Sequence, residues 1–352
     1  MELPNVIDAS GDVQFSVVIG TFNGEGTLTA ALDALESQIT DFTFEVLVVN
    51  DASTDSTSEI ANRPSVRLIN LDRNRGHGHT LNVGLAKARG QFMAMMDDDC
   101  VPPREWIQQL GLAWSSVGEE VSMIGGLVEP FETNTFNRRY VAFRRPLRHQ
   151  EAIVDENAGI WPRLMYQFSP PTMRSDPRPV FFTVGANMSV RVSAAREAGG
   201  FTEAPGAGEE ESLARPLRSR FGPETVQLFP NIVMLHNFDA SLGDTFRRAR
   251  SYGRANGREW VRDRDIPSFA PLLPGATIVA GAIALVSPVT ALVALILSPF
   301  VLYRRWYSWF RSNGSREAIL YPYVQAGEDL ATDVGFLQGV WREVRTRRSE
   351  SR

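Results

Sequence analysis

The chain has 352 residues, a net charge of −5, 43% hydrophobic and 22% charged residues, and one cysteine. That length can bury one large core or two smaller ones, and the composition is that of a globular protein, not a disordered or collagenous one. The acidic balance argues against nucleic acid as a partner, which calls for a basic face, and a single Cys excludes an intrachain disulfide framework. Basic residues are Arg except for Lys87.

The opening, MELPNVIDASGDVQF, has two early acids and no apolar stretch, and does not read as a signal peptide. Residues 1–13 are taken as an extension. Phe15 to Ile19 predicts a strand. Glu25 to Gln38 predicts a helix, with Leu28, Ala31, Leu32 and Leu35 on one face. Phe44 to Val49 is a second apolar run, and Ser53-Thr54-Asp55 can cap a short helix through Asn62. Val66 to Leu71 reads as a third strand, His79 to Arg89 as a helix and Phe92 to Met96 as a fourth strand. This alternation implies an α/β fold, a mostly parallel sheet with helices on both faces. Ligands on such sheets collect at the carboxyl ends of the strands. Three polar loops follow those ends: Thr21-Phe22-Asn23-Gly24, Asn50-Asp51-Ala52-Ser53 and Asp97-Asp98-Asp99.

The last of these is the most informative. Three adjacent carboxylates repel one another unless a cation sits among them. Oxygen-rich sites with open positions suit Mg²⁺ or Mn²⁺, which complete their shells with substrate phosphates. Beyond Pro102-Pro103 a helix over Arg104 to Trp114 and a strand over Ser122 to Val128 are expected. Residues 130–180, rich in Arg, Pro and aromatics, receive no assignment.

Five ordered blocks between about residues 14 and 255 resemble the family 2 glycosyltransferases, whose nucleotide-diphospho-sugar-binding, Rossmann-like fold is called GT-A. They are Val17 to Asn23, Val48 to Asp55, Asn74 to Gly78 with Asn82 to Gly84 and Ala88 to Gly90, Asp97 to Asp99 as the DxD motif, and an acceptor-side set. That last set comprises Gly185 to Ser189, Gly199-Gly200-Phe201 and Gly208-Glu209-Glu210. The resemblance divides the domain into a nucleotide-sugar half (14–100) and an acceptor-binding, catalytic half (101–265). It implies an inverting, metal-dependent transfer of a sugar from a nucleotide-diphospho-sugar, with a uracil or guanine base and UDP favoured.

The same resemblance implies that Thr21, Asn23, Glu25, Asp51, Arg75, Asn82, Asp97 and Asp98 serve the nucleotide, Asp51 by hydrogen-bonding the base. Asp99 and Asp97 would hold the metal, joined by His236, which follows the apolar run Ile232 to Leu235. Glu209 or Glu210 would be the general base; the family's Asp stands at the position of Glu210, and the extra methylene leaves the choice open. Asn187, Arg247, Arg248 and Arg254 would face acceptor or phosphate. Gly20 replaces a common Pro and Asn50 a common Asp. The Gln-x-x-Arg-Trp signature of processive members is absent, which implies one sugar per encounter.

Ile266 to Tyr303 holds no charged residue. Its segment from Pro274, as a single helix, would run about 45 Å, longer than a bilayer core of about 30 Å. Split at Ser287-Pro288, each half would be about 22 Å. Arg-rich flanks and Trp306, Tyr307 and Trp309 suit a membrane interface. A re-entrant hairpin, one kinked span and a soluble helical pair all remain open, with 304–352 as a cytoplasmic tail. The expected setting is the cytoplasmic membrane, the catalytic domain facing the cytoplasm, with a lipid-linked or glycolipid acceptor. Nucleotidyl transfer and a non-catalytic membrane-tethered scaffold are the competing readings.

Overall fold

The computed structural model describes residues 13–144, 174–203, 208–238, 241–263, 281–283, 285, 287–303 and 316–350. Its centre is one twisted sheet. Strands β1 (Phe15–Thr21), β2 (Phe44–Asn50), β3 (Val66–Asn70) and β4 (Phe92–Met95) are parallel, in the order β3-β2-β1-β4. Beyond β4 the sheet continues through β8 (Met188–Arg191), β6 (Met123–Pro130), β9 (Val226–His236) and β5 (Cys100–Val101), with β7 (Arg178–Pro179) pairing β9. Strand β8 is antiparallel to both β4 and β6, while β6 and β9 run parallel. The two halves expected from the sequence therefore share a continuous sheet.

The period-2 alternation of the strands sends side chains to two cores. Val17, Ile19, Val46 and Val48 face helices α1 (Leu28–Glu36) and α4 (Trp106–Ser115), whose Leu28, Leu32, Trp106 and Leu110 are buried with them. Val18, Leu47, Met93 and Met95 face α3 (His77–Lys87), α6 (Val192–Glu197) and α7 (Glu209–Phe221) through Leu81, Leu85, Leu213 and Leu217. A short helix α2 (Thr57–Ala61) follows the second strand, and α5 (Phe136–Arg144) follows β6. Helix bounds lie within about three residues of those predicted, a usual margin for frayed ends.

Register brings the loops together. Thr21 pairs with Asn50 and Asn50 with Asn70, so β1, β2 and β3 end level. Asn50, at the position of a common Asp, donates from its amide to Asn70 across the strands (2.9 Å) and accepts from the Ser53 N–H (3.0 Å).

The C-terminal third departs from expectation. Helix α8 (Leu242–Asp263) and helix α10 (Tyr321–Glu350) run side by side in the same direction. A Cβ added to Gly253, Gly257, Gly335 or Gly339 would lie 2.0 to 2.2 Å from a carbonyl oxygen of the opposite helix. The glycines thus allow backbone to meet backbone, and the expected tail is a packed structural helix.

Helix α9 (Pro288–Leu302) starts where Ser287 caps it, its side chain accepting from the Thr290 N–H (3.3 Å). Ser287, extended at φ −157°, thus breaks the helical path at Ser287-Pro288. Among the described residues no helix is long and apolar enough to cross a membrane, so the expected transmembrane helix is not found there. Residues 264–280 and 304–315, which hold part of the predicted apolar segment and Arg304, Trp306, Tyr307 and Trp309, lie outside the described residues, as do 145–173.

Candidate active site

The acidic triplet follows β4 and meets the end of β9. Cys100 pairs with His236 across the antiparallel β5–β9 contact, and the Asn237 N–H bonds the Asp99 carbonyl at 2.9 Å. This backbone pairing sets His236 Nε2 3.2 Å from Asp99 Oδ1 and 3.8 Å from Asp97 Oδ2. Asp97, Asp99, Cys100 and His236 bring one ligand atom each within 4.8 Å of the others.

The residues fit a divalent cation. Asp99 Oδ1, which faces His236 Nε2, is buried without a hydrogen-bond partner, an arrangement that costs free energy unless something else completes it. Carboxylates suit Mg²⁺ and Mn²⁺, and an imidazole nitrogen tilts the set toward a transition metal. Cys100 is less suited: burial pushes its thiol well above its ordinary pKa, the neighbouring carboxylates add to that, and it packs toward the Ala186 carbonyl at 3.8 Å.

Charge reinforces the fit. Burial, and then the Asp97 and Asp98 charges, raise Asp99 to about 6 against the opposing pull of His236. Burial opposes ionisation of Asp97 also, yet His236, His77 and Arg248 together hold it below the ordinary carboxyl value. Burial raises Asp98, whose oxygen accepts from the Thr21 hydroxyl at 2.5 Å. A side chain at Gly24 would collide with that same carboxylate, so the β1 loop closes over Asp98 because Gly24 is bare.

Glu209 and Glu210 open α7 behind the left-handed Gly208 (φ 118°). Burial, then the Glu210 charge, raise Glu209 to about 6. Glu210 is raised mainly by burial, with Asp97 contributing, and its Oε1 accepts from the Gly185 N–H at 2.8 Å. A Cβ at Gly185 would lie 2.5 Å from that oxygen. The bare glycine therefore lets Glu210 dock against this turn.

The remaining predicted residues divide. Asp51, 3% exposed, accepts from the N–H groups of Arg75 and Gly76, both at 2.8 Å. It shapes the third loop through backbone, with the Arg75 side chain exposed. Asn23 and Glu25 are exposed and accept from the N–H groups of Thr54 (2.9 Å) and Ser56 (3.2 Å), tying the first loop to the second. Asn23 adopts a positive φ of 55° to do so.

Asn82 bonds the Phe201 carbonyl at 2.9 Å and accepts from its N–H at 2.8 Å. It holds the Gly199-Gly200-Phe201 turn and does not join the strand-end loops. Asn187, expected on the acceptor side, is fully buried. Its amide donates to Leu127 and Ile232 carbonyls (2.8 and 3.1 Å), and its carbonyl accepts from Trp106 Nε1 (2.9 Å). With those capacities used inside the core, Asn187 is a latch and not an acceptor contact.

Of the arginines, Arg248 acts electrostatically on Asp97 and Asp99. Arg247 pairs with Asp244 at 2.5 Å at a 77% exposed side chain, and Arg254 lies where α8 closes on Gly339. Two residues not singled out from the sequence enter the site's field. His77, at the start of α3, acts on Asp97, Asp98, Glu209 and Glu210. Tyr252, one turn beyond Arg248, feels Glu209, Glu210 and Asp97. The glycines flanking His77 were the one available hint; nothing local marks Tyr252.

Fold and site together define an α/β protein with a cluster of carboxylates and an imidazole that fits a divalent cation at the ends of its strands, and a further pair of carboxylates, Glu209 and Glu210, that contributes to the charge around it. The profile of Glycosyl transferase family 2 matches residues 16–199, and the chain belongs to that family. It is 41% identical over 104 residues to the succinoglycan biosynthesis protein ExoO of Rhizobium meliloti (strain 1021), covering 28% of this chain and 29% of that protein. It is 35% identical over 111 residues to the dolichyl-phosphate beta-glucosyltransferase of Homo sapiens, covering 28% of this chain and 34% of that one. The aligned stretch thus spans about a third of the length of each of these two relatives. The mannosyltransferase PcManGT of Pyrobaculum calidifontis, solved with GDP-Man and Mn²⁺, shares the fold: TM-score 0.58 at 18% identity, over 96% of this chain and 90% of that one.

Proposed function

We propose that the protein is an inverting, non-processive glycosyltransferase that moves a sugar from a nucleotide-diphospho-sugar, a UDP-sugar by preference, to a hydroxyl or phosphate oxygen of a lipid-linked or glycolipid acceptor. The observation that carries this reading is the buried Asp99 Oδ1, without a hydrogen-bond partner and 3.2 Å from His236 Nε2, beside Asp97, with Glu210 held by the Gly185 N–H. A Mg²⁺ or Mn²⁺ ion held by Asp97, Asp99 and His236 would act as a Lewis acid on the departing diphosphate.

The chain's own groups do the rest. Glu210, its Oε1 fixed by the Gly185 N–H, keeps Oε2 to take the acceptor hydroxyl's proton as that oxygen attacks the anomeric carbon. Its raised pKa favours that role, because proton transfer is most effective near the operating pH. Glu209, buried at the start of the same helix, sets the field around it. Arg248 faces the phosphates with a fork suited to their oxygens. Asp51 serves the base by holding the Arg75–Gly76 backbone in place, and Asn23 and Glu25 hold the neighbouring loop.

Similarity to a dolichyl-phosphate glucosyltransferase and the uncharged 266–303 segment support a lipid-borne acceptor at the cytoplasmic face of a membrane. A thermal-shift panel of UDP, GDP, CDP and TDP with their sugars, each with Mg²⁺, Mn²⁺ or chelator, tests the donor site. Ligands that bind only native protein raise the melting temperature. One base should give a metal-dependent shift that Asp99→Ala abolishes; no shift with any nucleotide would sink the transferase reading.

A further inference from the structure

Helix α9 carries no charged residue, and much of its surface is bare. Val289 is 73% exposed, Leu292 58%, Ile296 50% and Val301 64%. Soluble proteins rarely expose a contiguous apolar patch beyond a few hundred Å², and Leu320, just before α10, is 51% exposed as well. The last turns of the helix are held. The Tyr323 hydroxyl donates to the Ile296 carbonyl at 2.9 Å, its ring meets Phe300 edge-on at 5.2 Å, and Tyr303 donates to Asp329. The helix is therefore mounted at its C-terminal end, with the apolar side chains of its earlier turns left bare.

The chain's charge distribution identifies what covers that face. No charge occurs from 266 to 303, and the next thirteen residues, 304–316, hold four arginines, no acid, and Trp306, Tyr307 and Trp309. Apolar side chains followed directly by cations and amphipathic aromatics match the acyl region, phosphates and interface of an anionic lipid leaflet. At 15 residues, α9 is about 22 Å long, short of the roughly 30 Å hydrocarbon core.

We infer that α9 is a non-spanning foot, inserted into one leaflet of an anionic membrane. The inference deepens the lipid-acceptor reading and rests on it for the foot's purpose, though not for the observations. The mount gives the foot a consequence. Helix α10 closes on α8 through backbone contacts at Gly253, Gly257, Gly335 and Gly339, and α8 brings Arg248 to the acidic cluster. Foot and catalytic cluster thus belong to one frame, which sets the distance from the lipid surface to the site.

The test is flotation of the full chain on vesicles of phosphatidylcholine with and without phosphatidylglycerol, comparing wild type with Leu292→Glu/Ile296→Glu. Both side chains are exposed, so folding is retained, and the nucleotide-dependent melting shift checks it. Wild type should float on the anionic vesicles, and the variant should lose binding by about tenfold or more with its nucleotide shift intact. Failure of wild type to float on any vesicle, or equal flotation of the variant, would overturn the inference. So would self-association that the double variant abolishes without vesicle binding, which would make this face a contact between copies. Lipid binding with no sugar transferred would sink the acceptor reading alone. Transfer to a detergent-solubilised lipid acceptor by a wild type that binds no vesicle would sink the foot alone.

Discussion

Asp99 and Glu210 show how one residue's environment assigns its work. Both are carboxylates pushed upward by burial, yet one faces an imidazole across a gap and the other is tethered by an N–H. Glu210→Gln keeps the tether but cannot accept a proton. It should lower kcat by about 10² to 10⁴-fold, the range for a general base, with the nucleotide-dependent melting shift unchanged. As the proposed base, Glu210 must be ionised, and its pKa is raised, so wild-type kcat should fall on the acid side at a pH above the ordinary Glu value of 4.5. The pH profile of Glu210→Gln should lack that limb; Glu209→Gln giving the larger loss would reverse the assignment of the two. Asn82 and Asn187 mark the limit of reading single residues. In sequence each is a polar side chain within a functional block, but each spends its amide on backbone carbonyls, one at a turn and the other in the core. Only the partner's position distinguishes a ligand from a latch.

At the scale of elements, the pair α8–α10 is the feature the site depends on most remotely. Its close approach rests on glycines spaced four apart in both helices, Gly253/Gly257 and Gly335/Gly339, each with a carbonyl where a Cβ would go. Backbone cannot yield as a flexible side chain does, so overpacking here should cost on the order of 1–3 kcal/mol per site. Gly335→Ala combined with Gly253→Ala should lower the melting temperature and raise KM for the donor, through displaced Arg248, while the nucleotide half keeps its secondary structure. Unchanged stability and KM by calorimetry and kinetics would show that α10 is dispensable to the site. The strands and helices before Pro102 were legible because each carries its own period, two or 3.6. The helix pair was not, because small-residue spacing has meaning only once a partner helix is adjacent.

For the whole molecule, the clustering of Asp97, Asp98, Asp99, Glu209 and Glu210 against His236, His77 and Arg248 leaves a surplus of negative charge in a partly buried site. Asp99 and Glu209 have folded-state values near 6, above their ordinary 3.8 and 4.5. The folded protein then binds more protons than the unfolded chain between about pH 4 and 6, so the stability these groups contribute is present below pH 4 and lost as pH rises through 6. Metal-free protein should therefore show this contribution as a melting temperature that declines across that window. Mn²⁺ should restore more above pH 6 than at pH 4, where protons occupy the carboxylates. A Mn²⁺ shift that is equal at both pH values, measured by differential scanning fluorimetry, would contradict this site as the binding locus. Folding is what concentrates the charge: three of the five acids adjoin in sequence, whereas Glu209 and Glu210 arrive from 110 residues further on.

The sequence by itself determined the α/β class, the family, the positions of strands β1 to β4 along the chain and the acidic triplet at a strand end. Those rest on local periodicity and on residues adjacent along the chain. The tertiary structure decided that His236 reaches Asp99, because that contact depends on β5 and β9 pairing across more than 130 residues. It also decided that Asn187 is a core latch, that Glu210 is tethered to Gly185, and that α10 packs backbone to backbone on α8. Each of these depends on which backbone atom lies opposite a side chain, and the pairing of distant segments alone sets that.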